Sequence, residues 1–279
     1  SKTSLSSVHF YAQADAPCPP CIPDANLAET PGNQPEPAMT LRSYAIGDIH
    51  GQIDLLREAH RWIQEDRARA GDLESPVIHL GDLVDRGPDS AGVVDLLLNG
   101  QISGQPWIVL KGNHDRMFTL YLEGRRDPIL RPDATWLHPR LGGQQTLASY
   151  GLDPEAPPDR ARAVVPESHR RFLEDLPTYW KRGAVAFVHA GLRPGLALED
   201  QSADDLLWIR APFLEHEAAH PWLVLHGHTH LPAPRHHGNR VNIDSGAAYG
   251  GPLTAVVIEG QAVFTLGPEG RTPLLPGVD

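Results

Sequence analysis

Residues 44–51 read Tyr-Ala-Ile-Gly-Asp-Ile-His-Gly, a short apolar run followed by a polar turn between two glycines. The apolar run predicts a buried strand, and apolar side chains recur at helical spacing over residues 53–63 behind it. Residues 77–80 and 107–110 repeat this pattern, and apolar positions over residues 93–98 predict a helix between them. The order predicts a βαβαβ unit with parallel strands and right-handed crossovers.

Further apolar runs predict strands at residues 185–188, 222–225, 241–244, 253–258 and 262–266. Glycine-containing turns separate the last three runs, so we expect these three to form an antiparallel meander. Residues 125–175 are rich in Arg, Pro and Glu, which predicts a helical insertion with long loops. Because no boundary divides the chain after residue 40, we expect a single α/β domain over residues 39–279.

The composition argues against two classes of protein. The 279 residues are 41% hydrophobic and 21% charged, and no apolar stretch reaches the length of a membrane-spanning helix. A net charge of -11 would repel a phosphate backbone, so we expect neither a membrane nor nucleic acid as a partner. The 15 histidines are unusual and direct attention to metal or acid-base chemistry.

The first 38 residues are polar and proline-rich, which predicts an extended tail that is not a secretory signal. Met39 follows directly, and the tail is either a vector-derived leader before a native start or a natural extension. Cys18 and Cys21 lie in this tail, where two exposed thiols are favoured over a redox or metal site because no second pair follows. A fold that needs no disulfide predicts a reducing, cytoplasmic location.

Five of the predicted strands end in short polar runs. These runs are Gly47–Gly51 (GDIHG), Gly81–Gly87 (GDLVDRG), Gly112–Asp115 (GNHD), His189–Gly191 (HAG) and His226–His230 (HGHTH). Ligands bind at the carboxyl ends of strands in open α/β sheets, so the five runs should converge on one crevice. A single Gly-Asp pair is usually a turn or a helix cap, but five such runs in order favour a shared metal site.

The residue types in these runs suit a transition metal. Flanking glycines allow Asp48 and His50 to face the same side of one turn. Asp82 is placed to bridge two ions, because a carboxylate offers one oxygen to each. The second ion would be completed by Asn113, His189 and His228. Mixed oxygen and nitrogen ligands favour Mn, Fe or Zn and argue against Ca.

The ordered series of motifs resembles the calcineurin-like metallophosphoesterase superfamily. Asp85-Arg86-Gly87 narrows the resemblance to the phosphoprotein phosphatase branch, of the bacterial serine/threonine type, and residues 205–210 (DLLWIR) and 242–251 (NIDSGAAYGG) also match it. The resemblance implies a β-sandwich of two mixed sheets flanked by helices, with the site at the carboxyl ends of the strands.

The resemblance also implies roles for individual residues. Two divalent ions would be bound, with Mn favoured over Fe or Zn. The first ion would be held by Asp48, His50 and Asp82, and the second by Asp82, Asn113, His189 and His228. A water or hydroxide between the two ions would be the nucleophile. Asp85 would hold the general acid His114. Arg86 and Arg210 would bind the phosphoryl oxygens together with Asn113, although either arginine could instead pair with surface carboxylates. Tyr249 would lie at the rim of the site or pack in the meander.

Three positions depart from the branch. Lys111 stands where Arg is common, and Asp115 replaces the commoner Glu. His230 is a possible additional ligand of the first metal, as in the wider superfamily. Its binding would shift specificity from phosphomonoesters toward diesters.

The sequence leaves three functions open. The first is a metal-dependent phosphatase of phosphoserine or phosphothreonine proteins and aryl phosphates. The second is a diadenosine tetraphosphate hydrolase or a phosphodiesterase of broad specificity, and the third is a catalytically silent phosphate-binding module. Retention of His114 and of every predicted metal ligand argues against the silent module. The oligomeric state is not determined by the sequence.

Overall fold

The computed structural model describes residues 41–277. The predictions for the tail, for Cys18 and Cys21, and for a start at Met39 fall on residues outside this range. Among the helices within it, none is both long enough and apolar enough to cross a membrane.

The described part of the chain contains strands and helices that alternate in its first half. In chain order they are β1 (Arg42–Ile46), α1 (Ile53–Ala70), β2 (Val77–His79), α2 (Ser90–Ile102), β3 (Trp107–Val109), α3 (Asn113–Leu122), α4 (Gly143–Ser149), α5 (Pro158–Val164), α6 (Glu167–Asp175), β4 (Tyr179–Arg182), β5 (Val185–Val188), α7 (Ala203–Trp208), α8 (Ala211–Leu214), β6 (Leu223–His226), β7 (Arg235–His236), β8 (Arg240–Asn242), β9 (Ala255–Glu259), β10 (Ala262–Gly267) and β11 (Gly270–Pro273). Short 3-10 turns lie at Leu198–Asp200 and Ala247–Tyr249.

The strands form two mixed sheets. The first has the order β11-β10-β9-β1-β2-β3, and the second has the order β4-β5-β6-β8-β7. Strands β1, β2 and β3 are parallel, which confirms the predicted βαβαβ unit. In the second sheet β5, β6 and β8 are parallel, while β4 and β7 pair antiparallel at the two edges.

Successive side chains of a strand point to opposite faces, so each sheet has an inner and an outer face. The inner faces of the two sheets pack against each other. Ala45 and Ile78 contribute to the core between the sheets, together with Phe187 and Leu225 of the second sheet. Tyr44, next to Ala45, belongs to the core between the first sheet and helices α1 and α2. Strands buried on both faces explain the continuous apolar runs in the sequence. The predicted sandwich flanked by helices is confirmed.

The predicted meander is partly wrong. Strand β8, expected to be its first member, lies in the second sheet between β6 and β7. Val241 and Ile243 are buried in the core between the sheets. The segment after β8, with the 3-10 turn Ala247–Tyr249, leads to β9 in the other sheet rather than closing a hairpin. The antiparallel meander consists of β9, β10 and β11.

The sequence patterns also missed α3 and the edge strand β4. Helix α3 begins at the polar run Gly112–Asp115, where the Asp115 carboxylate accepts a hydrogen bond from the Gly112 N–H at 2.8 Å. This bond is one half of a capping box. The expected helical insertion over residues 125–175 is present, with α4, α5 and α6 joined by loops.

Candidate active site

The polar runs converge at one end of the sandwich, around a cavity of about 220 Å³. The run after β1, the run after β2, the start of α3 and the run after β6 line this cavity. Its lining residues are Asp48, His50, Asp82, Arg86, Asn113, His114, Leu141, Trp208, Arg210, His228, His230, Asp244, Ala248 and Tyr249. His189, at the end of β5, is fully buried behind the wall with its Nε2 atom 3.4 Å from Asp82 Oδ1.

The backbone of this cavity wall is strained. Among the described residues, five that are not glycine have φ in the left-handed region: His50, Asp82, Asp85, Arg86 and His228. Such conformations cost free energy and persist where the surrounding fold imposes them, commonly at functional sites. All five belong to the polar runs that the sequence singled out.

Glycines next to the wall allow the runs to approach one another closely. A Cβ atom on Gly112 would lie 2.1 Å from Asp82 Oδ1, and one on Gly227 would lie 2.0 Å from Asp48 Oδ1. Any larger residue at these positions would push a carboxylate out of place. The glycines of the motifs are therefore required by the packing of the site itself.

Asp82 lies at the centre of the acidic and imidazole groups. Its Oδ2 atom is 3.3 Å from His50 Nε2, and its Oδ1 atom accepts a hydrogen bond from the His114 N–H at 2.9 Å. Two groups of side chains offer ligand atoms within 4.8 Å of one another, His50 with Asp82 and His114, and Asp82 with His189 and His228. Asp82 belongs to both groups.

The orientation of the imidazoles fits a bound cation. His50 Nδ1 lies 2.8 Å from the Val84 carbonyl and His189 Nδ1 lies 2.9 Å from the Leu80 carbonyl, so each Nδ1–H donates and each Nε2 carries a lone pair. His189 Nε2 faces Asn113 Oδ1 at 2.9 Å and the Asp82 carboxylate. Acceptors that face one another in this way can be bridged by a cation, or by a proton on His189 Nε2. Carboxylate, amide and imidazole donors suit Mn, Fe or Zn.

The charges around the cavity also favour a bound cation. Burial raises the pKa of Asp48 well above its usual range, and the neighbouring Asp244 and Asp82 carboxylates raise it further. Burial also opposes ionisation of Asp82, but the nearby His189 and His114 outweigh it and hold the pKa of Asp82 well below its usual range. Three buried carboxylates in one cavity repel one another, and divalent cations would relieve this repulsion.

The Arg86 guanidinium lies across the cavity. Its two terminal nitrogens are 2.6 Å from His50 Nε2 and 2.9 Å from His114 Nε2, and it stacks on the Tyr249 ring at 5.3 Å from the ring centroid. One imidazole lone pair cannot serve both a guanidinium and a metal ion. A cation bound to His50 therefore requires that Arg86 move off His50.

His114 is held by a buried carboxylate. Its Nδ1 atom lies 2.6 Å from Asp85 Oδ2, which directs Nε2 toward the cavity. Burial raises the pKa of Asp85 to about 7, although hydrogen bonds from Thr146 and Trp136 act in the opposite direction. Burial likewise keeps the pKa of His114 well below its usual range. The predicted pairing of Asp85 with His114 is present in the structure.

The remaining predicted residues lie at the rim. Arg210 is exposed, lines the cavity and forms no ion pair within residues 41–277. Tyr249 is 60% exposed, and the exposed His230 packs against it with ring centroids 4.8 Å apart. His230 belongs to neither group of clustered ligand atoms among the described residues.

Two departures from the branch have structural roles. Lys111 Nζ donates to the Glu174 carbonyl at 2.9 Å, so this side chain reaches helix α6. Asp115 is buried and also accepts a hydrogen bond from the Leu83 N–H at 2.9 Å, which joins the runs after β2 and β3.

Asp244, Trp208 and Leu141 also line the cavity, although none of them was predicted as a site residue from the sequence. Asp244 and Trp208 stand inside the two longer matching motifs, which was the available signal. Leu141 comes from the insertion, where no local pattern marks it.

The model of the family described as calcineurin-like phosphoesterase matches residues 41–257. The chain belongs to the calcineurin-like phosphoesterase family. The match covers every strand end that contributes to the cavity, and members of this family use divalent metals. This phosphoesterase is therefore a metal-dependent hydrolase of phosphoric esters.

Several curated relatives of the phosphoesterase share a name. It is 25% identical over 232 residues to the bis(5'-nucleosyl)-tetraphosphatase PrpE [asymmetrical] of Anoxybacillus flavithermus, a match that covers 76% of this chain and 88% of the relative. The protein of the same name from Bacillus mycoides is 24% identical over 233 residues, with the same coverage.

Solved structures confirm the fold of the phosphoesterase. A candidate diadenosine tetraphosphatase superposes with a TM-score of 0.58 at 22% identity, covering 87% of this chain and 97% of that one. A cold-active protein-tyrosine phosphatase from a psychrophilic Shewanella species gives 0.57 at 16% identity, covering 85% and 81%. At these identities the likeness concerns the fold alone.

Proposed function

We propose that this phosphoesterase hydrolyses dinucleoside polyphosphates, with bis(5'-nucleosyl) tetraphosphates as its substrate class. The observation that carries the proposal is the name shared by the curated relatives, whose matches extend over 88% of their length. The motifs alone favour a phosphoprotein phosphatase first and a dinucleotide hydrolase second. The relatives favour the second of these functions.

The walls of the cavity support this substrate class. Arg86 and Arg210 can each offer a planar fork of donors to phosphoryl oxygens. Tyr249, His230 and Trp208 place aromatic rings in the same cavity wall, with Tyr249 against Arg86. A dinucleoside polyphosphate combines a chain of phosphates with flat bases, and both parts find matching groups. A phosphoprotein would contact the phosphate-binding groups, but it carries no base that would stack on the aromatic rings.

The proposed division of labour follows from the positions of the side chains. Asp48, His50, Asp82, Asn113, His189 and His228 would hold two divalent ions, with His230 as a further candidate. Bound ions of this kind polarise a phosphoryl oxygen and supply a nucleophilic water at neutral pH. Arg210, and Arg86 once it leaves His50, would orient the phosphate for in-line attack. Once Arg86 has also left His114 Nε2 and that nitrogen has been protonated, His114 would give this proton to the departing oxygen, while Asp85 would hold its ring.

Phosphomonoester hydrolysis is a second candidate, supported by the buried Asp85–His114 pair. A serine alkoxide is a strong base and leaves only with a proton, whereas a nucleoside polyphosphate leaves readily without one. A positioned acid is therefore of most use to an enzyme that releases alkoxides. This observation keeps phosphoserine and phosphothreonine substrates, and aryl phosphates, in the proposal.

One purified sample assayed on three substrates tests the proposal. Diadenosine tetraphosphate, a phosphoserine peptide panel and a bis-aryl phosphodiester are supplied with Mn²⁺, and nucleotides are separated by chromatography. We expect diadenosine tetraphosphate to give the highest kcat/KM, with a nucleoside triphosphate and a monophosphate as products. The Asp82→Asn variant is the control and should lose most of the activity.

A preference for phosphopeptides would replace the dinucleotide assignment by the second candidate. Metal-independent turnover, or none on any phosphoester, would contradict both functions.

A further inference from the structure

The carboxylate of Asp85 receives hydrogen bonds from two side chains of the insertion. Trp136 Nε1 donates to Oδ2 at 2.8 Å, and Thr146 Oγ1 donates to Oδ1 at 2.7 Å. His114 Nδ1 donates to the same Oδ2 at 2.6 Å. Both carboxylate oxygens therefore accept hydrogen bonds. Oδ1 accepts one from Thr146, and Oδ2 accepts one from Trp136 and one from His114.

These donors are fixed by their surroundings. Asp85 and Thr146 have no exposed surface, and Trp136 is 4% exposed. The Trp136 indole stacks on Phe118 with ring centroids 5.1 Å apart and an interplanar angle of 22°. Thr146 Oγ1 also accepts a hydrogen bond from the Asp85 N–H at 2.8 Å, so the hydroxyl holds the backbone and the carboxylate together. Buried in this way, Asp85 has no solvent to replace a lost donor.

The backbone of the insertion reaches the neighbouring residue as well. The Gly142 carbonyl accepts a hydrogen bond from the Arg86 N–H at 3.1 Å. Asp85 and Arg86 both have left-handed backbone conformations, which need support from the fold. The insertion therefore contacts both strained residues. In the sequence, Trp136 lies 51 residues and Thr146 lies 61 residues after Asp85.

We propose that Trp136 and Thr146 are positioning residues, which hold the Asp85 carboxylate so that His114 presents Nε2 to the leaving oxygen of the substrate. The proposal rests on the proposed function, in which His114 donates that proton. With either donor missing, the carboxylate can rotate about its Cβ–Cγ bond and the imidazole can follow. The insertion then takes part in catalysis through the acid, without touching the substrate.

Two substitutions remove the donors, and a third keeps the hydroxyl donor. Trp136→Phe removes the indole N–H and keeps an aromatic ring against Phe118, and Thr146→Val removes the hydroxyl. Thr146→Ser keeps the hydroxyl and serves as the rescue variant. Trp62→Phe is the matched control, because Trp62 Nε1 is buried without a hydrogen-bond partner among the described residues. Thermal unfolding of each variant verifies that it is folded.

The first arm compares leaving groups in the metal-loaded enzyme. Phenyl phosphate releases a basic phenolate, while 2,4-dinitrophenyl phosphate releases one that needs no proton. Loss of a hydrogen-bond partner of a metal-ligating residue commonly costs about 10-fold to 100-fold in activity, and we expect an effect of the same order for a partner of the acid. We expect Trp136→Phe and Thr146→Val to lower kcat on phenyl phosphate by about 10-fold or more and kcat on the dinitrophenyl ester much less, with KM little changed. Thr146→Ser and Trp62→Phe should stay near wild type.

The second arm needs no turnover. Proton NMR of the protein, kept free of paramagnetic metal, follows the Nδ1–H of His114, assigned by its loss in His114→Asn. We expect this low-field signal to move or to be lost by exchange in Trp136→Phe and Thr146→Val, and to remain in Trp62→Phe.

Equal losses of kcat on both esters would overturn the positioning role, and so would wild-type kcat on both esters together with an unchanged His114 signal. If the wild-type enzyme hydrolyses no phosphoester, the proposed function fails, and the NMR arm alone decides whether the two donors position His114.

Discussion

Asp82 is the side chain shared by both clusters of candidate ligands, so the Asp82→Asn substitution should remove most of the stability that metal ions confer. An ion present at 100 times its dissociation constant stabilises the folded state by about 2.7 kcal/mol, and two ions by about 5 kcal/mol. For a domain of roughly this size, each kcal/mol raises Tm by about 2–4 °C. Saturating Mn²⁺ should therefore raise the Tm of the metal-free wild-type protein by roughly 10–20 °C.

Differential scanning calorimetry with and without Mn²⁺ measures this difference. In Asp82→Asn the increment should fall to a few degrees, because an amide cannot neutralise two cations. Asp66→Asn is the matched control, since Asp66 is a buried carboxylate that binds Arg271 and Tyr44 instead of the cavity residues. It should lower the metal-free Tm and keep the full increment. Equal increments in wild type and Asp82→Asn would refute a bridging role for Asp82.

Three further perturbations test other parts of the molecule. Arg210→Ala should cost about 2–4 kcal/mol of transition-state stabilisation, measured as kcat/KM on a phosphomonoester; a change within about threefold would leave Arg210 no role in binding phosphate. Tyr249→Ala should raise KM for diadenosine tetraphosphate by the equivalent of about 1–3 kcal/mol but leave KM for phenyl phosphate nearly unchanged, and a parallel rise in both would exclude base stacking. Burial and Arg67 lower the pKa of His60 to about 4, so the free energy of unfolding measured in urea should be highest above pH 6.5 and should fall by on the order of 3 kcal/mol toward pH 4. The fall should be shallower in His60→Gln. An equal fall in that variant would refute the assignment to His60.

Local patterns in the sequence predict the parts of the fold that are formed locally. The runs before Gly47 and Gly81 are largely apolar because β1 and β2 are buried on both faces, whereas β3, before Gly112, is a partly buried edge strand. The polar ends of the three strands meet because parallel strands end at one edge. The error over β8 has a different origin. A glycine-containing turn signals a change of direction, but it does not say whether the next strand pairs with the last one or joins the other sheet.

Contacts between distant segments could not be predicted from the residues alone. Trp136 and Thr146 lie in a stretch of arginines, prolines and glutamates, where nothing local connects them to Asp85. Asp244 follows the misassigned strand β8, and its approach to Asp48 depends on the second sheet being packed against the first. Each of these relationships arises from tertiary packing, which a single sequence does not report.

The two kinds of residue in this site answer different questions about function. The candidate ligands, such as Asp48, Asp82 and His189, stand at strand ends within the family match. In the proposed function they would support metal-dependent attack on phosphorus, and they say little about the substrate. The rim residues Leu141 and Tyr249 come from the insertion and from the segment that crosses between the sheets. Loops vary more freely than the strands that carry them. The choice between a dinucleoside polyphosphate and a phosphomonoester therefore depends on the rim, and substitutions there should change specificity while the metal-dependent step continues.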